Sequence, residues 1–261
     1  MSSTLHLDVM SSQALKETLT QEQTVALLPL GSLEPHGPHL PLSVDRLLSE
    51  VSAQYAAQRL VSMGVPCLIA PAVPYAVTEF ARGFTGALSI PQDLYESLIE
   101  TLVHGYLEEG FVHVCLINHH LEPKQLEALK NVTQKVKQSS GAHAISYPLV
   151  VSKRWGRHLG AEFKSGACHA GAYEGSMIRC SHPSLFNTQI ANELPELTLS
   201  LSQGIQEGVE GFIALGMNEA YTGAPAKATV TEGERLYQCH AEMIATEVSE
   251  ALQNHQRHTH N

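Results

Sequence analysis

The sequence predicts an α/β fold, with a mostly parallel sheet covered by helices on both faces. Three observations predict it. Short apolar runs alternate with longer segments of helical spacing along most of the 261 residues, which is the signature of strand–helix–strand units. The apolar runs are continuous rather than alternating, as in strands buried on both faces. The hydrophobic fraction is 43% and the charged fraction 16%, ordinary values for a globular chain that forms its core without staples.

The elements follow in order. Residues 24–30 are the first apolar run, ending at Gly31, and read as a buried strand. A loop punctuated by glycine and proline runs to Asp45. Helical spacing then appears over 45–60 through Leu47, Leu48, Val51, Tyr55 and Leu60. Residues 65–70 read as a second strand. The clearest helix spans 91–109, with Pro91 near its start and Gly110 just past its end. A third strand is expected over 112–117 and a helix over 122–138, with Leu126, Leu129, Val132 and Val136 on one face. A fourth strand is expected over 142–147, and helices over 172–180 and 232–252; residues 152–169 are less regular. No internal repeat or linker is visible, so 1–261 reads as one domain with a frayed polar tail from residue 253. His255, His258 and His260 in that tail resemble a ligand cluster only in spacing.

Composition excludes some functions. The formal net charge is −10 and no basic stripe exists, so nucleic acid is not an expected partner. No run of about 18 apolar residues is present, so no membrane span is expected. Five cysteines, odd in number and without a CxxC pair, read as thiols of a reducing compartment. The first ten residues lack the basic and apolar regions of a signal peptide. A cytoplasmic location is therefore expected.

Two clusters carry the chemistry. Pro35 disfavours a helical conformation at Glu34, so Glu34 and His36 sit in extended chain and project to one side. They follow the first strand, at the sheet edge where open α/β proteins place their sites. Asp45 closes the same loop and can face back toward them. His120 and Glu122 repeat the spacing after the third strand. Imidazole and carboxylate suit Zn²⁺, Mn²⁺ or Fe²⁺, and two such pairs suit two ions bridged by Asp45. Three carboxylates and one hydroxide would balance two divalent cations. Each residue also has a plainer reading: Glu122 at a helix start is favoured by the dipole alone, and His39 reads as a supporting residue.

At these segments the sequence resembles the creatininase (creatinine amidohydrolase) family. The resemblance rests on LGSLEPHGPHLP at 30–41 with Asp45, on NHHLE at 118–122, and on FTGALS at 84–89. HAGAYE at 169–174 and TGAP at 222–225, running on to GER at 233–235, complete it. It implies a three-layer α/β/α sandwich, a binuclear metal site and a homo-oligomer, with a hexamer favoured. By position, Glu34, Asp45 and His120 would hold one ion and His36, Asp45 and Glu122 the other. His169 matches the catalytic histidine, with Glu122 beside it among the catalytic residues. Glu174 matches an acidic residue that orients a ligand or binds metal itself. The implied activity is a metal-dependent hydrolase cutting a cyclic-amide or formamide type C–N bond in a small-molecule amide. On that reading a metal-activated hydroxide, bridging in the implied binuclear site, would attack and His169 would pass a proton to the leaving nitrogen.

The chain also departs from the pattern. His119 stands where the family has glycine, and Thr85 and Ala87 replace a proline and a threonine. Ser165 and Gly166 occupy the places of a lid tryptophan and its acidic neighbour. The expectation is a pocket more open at this edge, unless Trp155 reaches it, and a substrate other than creatinine. A peptidase of peptide-cofactor maturation and a metal-binding pseudoenzyme are the alternatives. A thiol mechanism at Cys168 is disfavoured, because neighbours in sequence rarely face each other.

Overall fold

The computed structural model describes the backbone of residues 5–259 and the side chains of 5–253. Its centre is a parallel sheet in the order β2-β1-β3-β4, formed by β1 (Val25–Leu30), β2 (Cys67–Ile69), β3 (His113–Asn118) and β4 (Ile145–Ser146). β1 and β3 pair along their whole length, Val25 with His113 through Leu30 with Asn118, and all their residues are buried. Their carboxyl ends therefore lie level, and so do the two loops that leave them. β2 stops at Ile69, opposite Leu27. Pro29, two residues further along β1, has no N–H with which to prolong that ladder.

Helices cover both faces. α2 (Val44–Ser62), α6 (Ala172–Ser181) and α9 (Val230–Thr259) pack on one side, where Val25 and Leu27 join a core with Leu48, Met177 and Leu236. α3 (Gln92–Glu109) and α4 (Pro123–Ser140) cover the other, where Ala26, Leu28 and Leu30 meet Ile99, Val103 and Leu129. Alternate residues of one strand thus enter two cores, as the continuous apolar runs require. The result is a three-layer α/β/α arrangement. α3 starts after Pro91 and ends at Gly110 in the left-handed region, as the sequence predicts.

Strands came out shorter than expected: β4 covers only Ile145–Ser146 and β2 only Cys67–Ile69. Several short helices were not anticipated, namely α1 (Ser12–Gln21), α5 (Gly160–Ser165), α7 (Thr188–Glu193) and α8 (Leu201–Gln206). Their apolar faces are too brief to establish a period in sequence. The reading of the carboxyl-terminal histidines lies outside the described side chains. Among the described residues, no helix is long and apolar enough to cross a membrane.

Candidate metal centre

The seven expected site residues converge beyond the carboxyl ends of β1 and β3, and all are buried. Glu34 and His36 lie on the loop after β1. This loop crosses tightly over the first turn of α2: a Cβ on Gly31 would come within 2.4 Å of the Arg46 backbone, so only glycine passes there. Gly37 then turns the chain with φ +65°. Asp45 sits in the first turn of α2, and His120 and Glu122 lie between β3 and α4. His169 and Glu174 flank the start of α6. Ala170 between them holds φ 53°, a strained value for a residue with a side chain. Its N–H donates to Glu174 Oε2 at 2.6 Å, which helps hold that conformation.

Three imidazoles are fixed in the same way. His36 donates from Nδ1 to the Glu34 carbonyl at 3.1 Å. His120 donates from Nε2 to the Val77 carbonyl at 2.8 Å, and His169 from Nε2 to the Pro35 carbonyl at 3.0 Å. A carbonyl can only accept, so in its neutral form each ring would carry its lone pair on the other nitrogen. Those nitrogens face the carboxylates. His120 Nδ1 lies 3.1 Å from Glu34 Oε1 and 3.2 Å from Asp45 Oδ2. His36 Nε2 lies 3.4 Å from Asp45 Oδ1 and 3.6 Å from Glu174 Oε2. His169 Nδ1 lies 3.9 Å from Glu34 Oε1. Asp45 therefore offers one oxygen to each imidazole of the two clusters. Ser32 Oγ donates to its Oδ2 at 2.5 Å.

The grouping differs from the one the resemblance implied. Ligand atoms of His36, Asp45 and Glu174 lie within 4.8 Å of one another, and so do those of Glu34, His120 and Glu122. Glu34, His36 and His169 form a third such set. Glu122 thus stands with Glu34 and His120, while Glu174 takes the place beside His36. The cause is local. Glu122 accepts from the Glu79 N–H at 3.0 Å and the Phe80 N–H at 3.1 Å on a turn distant in sequence, and this holds it beside the outer nitrogen of His120, 3.7 Å away.

The electrostatics are those of a cation site. Among the described ion pairs, only imidazoles partner Glu34, Asp45, Glu122 and Glu174. Burial alone pushes the His36 imidazole down, but Asp45, Glu174 and Glu34 outweigh it and hold its pKa at about 10. His120 is raised in the same manner, against burial, by Glu34 and Asp45. Burial, reinforced by Asp45 and Glu34, raises Glu174 to about 8. Imidazolium charge and a retained proton thus balance carboxylates that lack any other cation. Burial and the charge on His36 instead keep His169 neutral, near 4. Glu34 Oε2 and His36 Nε2 are buried with no hydrogen-bond partner, a costly state for polar atoms unless something else binds them.

Neither Ser165 nor Gly166, where openness was expected, lines the space over the cluster. About 30 Å³ of space remains over the cluster, roughly enough for two water-sized bodies. Phe212, Leu201, Ile205 and Phe80 roof it. With Phe84, Leu215 and Met217 they form a small hydrophobic cluster of their own. Trp155 does not substitute for the lid; its indole N–H donates to Glu247 on α9. These covering residues were invisible in the sequence, where they are scattered apolar positions among glycines. His119, another of the departures, is paired: its Nε2 meets Ser52 Oγ at 2.8 Å, and its ring lies 4.5 Å from that of His240.

Known proteins resemble the chain in sequence and in fold. The chain is 29% identical over 233 residues to a mycofactocin precursor peptide peptidase of Mycobacterium ulcerans (strain Agy99), covering 84% of this chain and 80% of that protein. A putative creatinine amidohydrolase from Bacteroides fragilis NCTC 9343 superposes with a TM-score of 0.73 at 22% identity, covering 97% and 98% of the two chains. A Zn–Zn form of a creatininase variant also superposes with a TM-score of 0.73, at 18% identity, over 95% and 98%. The pattern of the creatininase family, described as creatinine amidohydrolase, matches residues 8–248, and the chain belongs to that family.

Proposed function

We propose that the protein is a metal-dependent hydrolase of amide-type C–N bonds that holds two divalent cations. The observation that carries this is the buried, unpartnered atoms Glu34 Oε2 and His36 Nε2, set among four carboxylates toward which three imidazoles turn the nitrogen that no carbonyl holds. Glu34, Asp45 and Glu174 bring three negative charges and a hydroxide would bring the fourth, so the donor set fits two divalent ions. Glu34, His120 and one oxygen of Asp45 would hold the first ion, and His36, Glu174 and the other oxygen of Asp45 the second. Nitrogen and oxygen donors suit Zn²⁺, Mn²⁺ or Fe²⁺. Such ions polarise a scissile carbonyl and acidify water.

The residues around the cluster supply the rest. His169 presents an unprotonated Nδ1 toward the pocket and can take a proton from the nucleophile and return it to the leaving nitrogen. Burial raises the Glu122 carboxyl, so it can hold a proton on the opposite wall. Phe212, Leu201 and Ile205 exclude water from the reacting group. The supporting experiment is metal analysis of protein purified without added metal, combined with turnover of formamides, cyclic amides and short peptides. Two ions per chain and hydrolysis of any of these agree with the reading. Metal-free protein that takes up no divalent ion refutes it.

A second reading, a peptidase, has its own support. The relative from Mycobacterium ulcerans is a peptide peptidase by name. Beyond the roof, a cleft of about 540 Å³ shares Phe80, Glu122, Pro123 and Ile205 with the metal pocket and continues along Gly208–Ala214 and Lys124. A substrate body larger than a small ring fits there. Preference for peptides over formamides and cyclic amides in the same panel decides for it. A reducing cytoplasmic location and a symmetric homo-oligomer, a hexamer by family resemblance, belong to the same proposal.

A further inference from the structure

We infer that Glu162 is a positioning residue for the second metal cluster, fastening the segment that carries His169 and Glu174 to the turn at 222–224. The inference rests on the metal reading above.

Glu162 lies on α5, outside the cluster, and spends both oxygens on main chain. Oε1 accepts from the Tyr173 N–H and Oε2 from the Ala224 N–H, each at 2.8 Å. Two observations show that the surroundings are built for this carboxylate. First, α6 has Gly171 at its N-cap and no side-chain cap of its own. Glu162 supplies that cap from another helix, where a negative charge is favoured. Second, two glycines leave it room. A Cβ on Gly171 would come within 2.6 Å of Glu162 Oε1, and a Cβ on Gly223 within 2.5 Å of Oε2. Both glycines belong to the motifs at 169–174 and 222–225, and besides leaving room for the carboxylate, Gly171 clears the Thr222 carbonyl, 2.6 Å from such a Cβ, and Gly223 adopts φ +92°.

The two segments it joins bear on the site directly. The Thr222 N–H donates to the His169 carbonyl at 2.9 Å. Glu174, in the first turn of α6, places Oε2 3.6 Å from His36 Nε2. Loosening the start of α6 therefore shifts a ligand carboxylate and the backbone of His169 together. Residues that orient metal ligands typically affect affinity by about 10–100-fold.

The test is Glu162→Gln, which is the same size but turns an NH₂ toward an N–H donor. Wild-type and variant proteins are loaded with Co²⁺, and affinity is measured by chelator competition alongside the visible spectrum. Thermal unfolding of the metal-free forms runs in parallel. The expected result is Co²⁺ affinity lower by about tenfold or more, with a changed visible spectrum. Glu162→Asp, which keeps the charge but shortens the reach, should fall between, and it carries the test if the glutamine variant does not fold. Lower metal-free stability with affinity and spectrum unchanged would show a structural role only and overturn the inference. Wild-type protein that binds no Co²⁺ would instead refute the metal reading, and this inference with it.

Discussion

The ring of Phe212 lies flat on the ring of His169, with centroids 4.4 Å apart and 30° between their planes. The stack covers one face of the imidazole while its Nδ1 edge stays toward Glu34. Phe212→Leu should keep the protein folded but thin the cover. Steady-state kinetics over the amide panel should then show bulky amides gaining on small ones by about tenfold or more, with metal content unchanged. Uniform loss across the panel would mean that Phe212 does not select substrates.

Asp45 gives one oxygen to each of the two facing imidazoles, at 3.4 Å and 3.2 Å. Asp45→Ala should therefore release both ions rather than one. Elemental analysis is expected to read close to two ions per wild-type chain and close to none in the variant. Full occupancy in the variant would remove Asp45 from the bridging position.

Burial, with a contribution from Glu174, pushes the Cys168 thiol up to about 12, so thiolate is scarce at neutral pH. Cys168→Ala should retain turnover within about a factor of two if the nucleophile is water. Lost turnover with intact metal content would argue for thiol chemistry.

His113 is buried in β3, donating from Nδ1 to the His143 carbonyl and meeting Ser146 Oγ with Nε2. Burial is the chief reason its pKa is lowered from 6.5 to about 4. A depressed value favours the neutral form in the fold, so its stability contribution is present above pH 6.5 and lost as pH falls toward 4. The loss amounts to about 3 kcal/mol. Urea titrations at several pH values in that window should show this slope, and a His113→Asn variant, though less stable at neutral pH, should show a shallower one. Identical slopes would assign the acid sensitivity to other groups.

The two ligand clusters were legible because each is compact in sequence and follows a continuous apolar run. Glu34 with His36 and His120 with Glu122 needed only strand geometry to be placed at one sheet edge. The grouping of the ligand atoms was not legible. Whether Glu122 or Glu174 stands beside His36 depends on the turn at 79–80, whose N–H groups claim Glu122. The loss of a lid at Ser165 and Gly166 was legible as a change of residue, but what covers the cluster instead was not. Its replacement comes from around Phe212, and no local pattern reveals a contact between segments that far apart. Short strands such as β4 were over-extended because propensity continues past the last residue that finds a partner.

The three inward-facing imidazoles take their orientation from the carbonyls of Glu34, Pro35 and Val77. A carbonyl belongs to the backbone, so no ordinary point substitution can delete it. The protonation geometry of these histidines is thus insulated from mutation at the very positions that orient them. The roof is made only of side chains, and each of those is open to replacement. A lineage carrying this architecture can therefore exchange substrates by rewriting the roof while its inorganic chemistry stays in place.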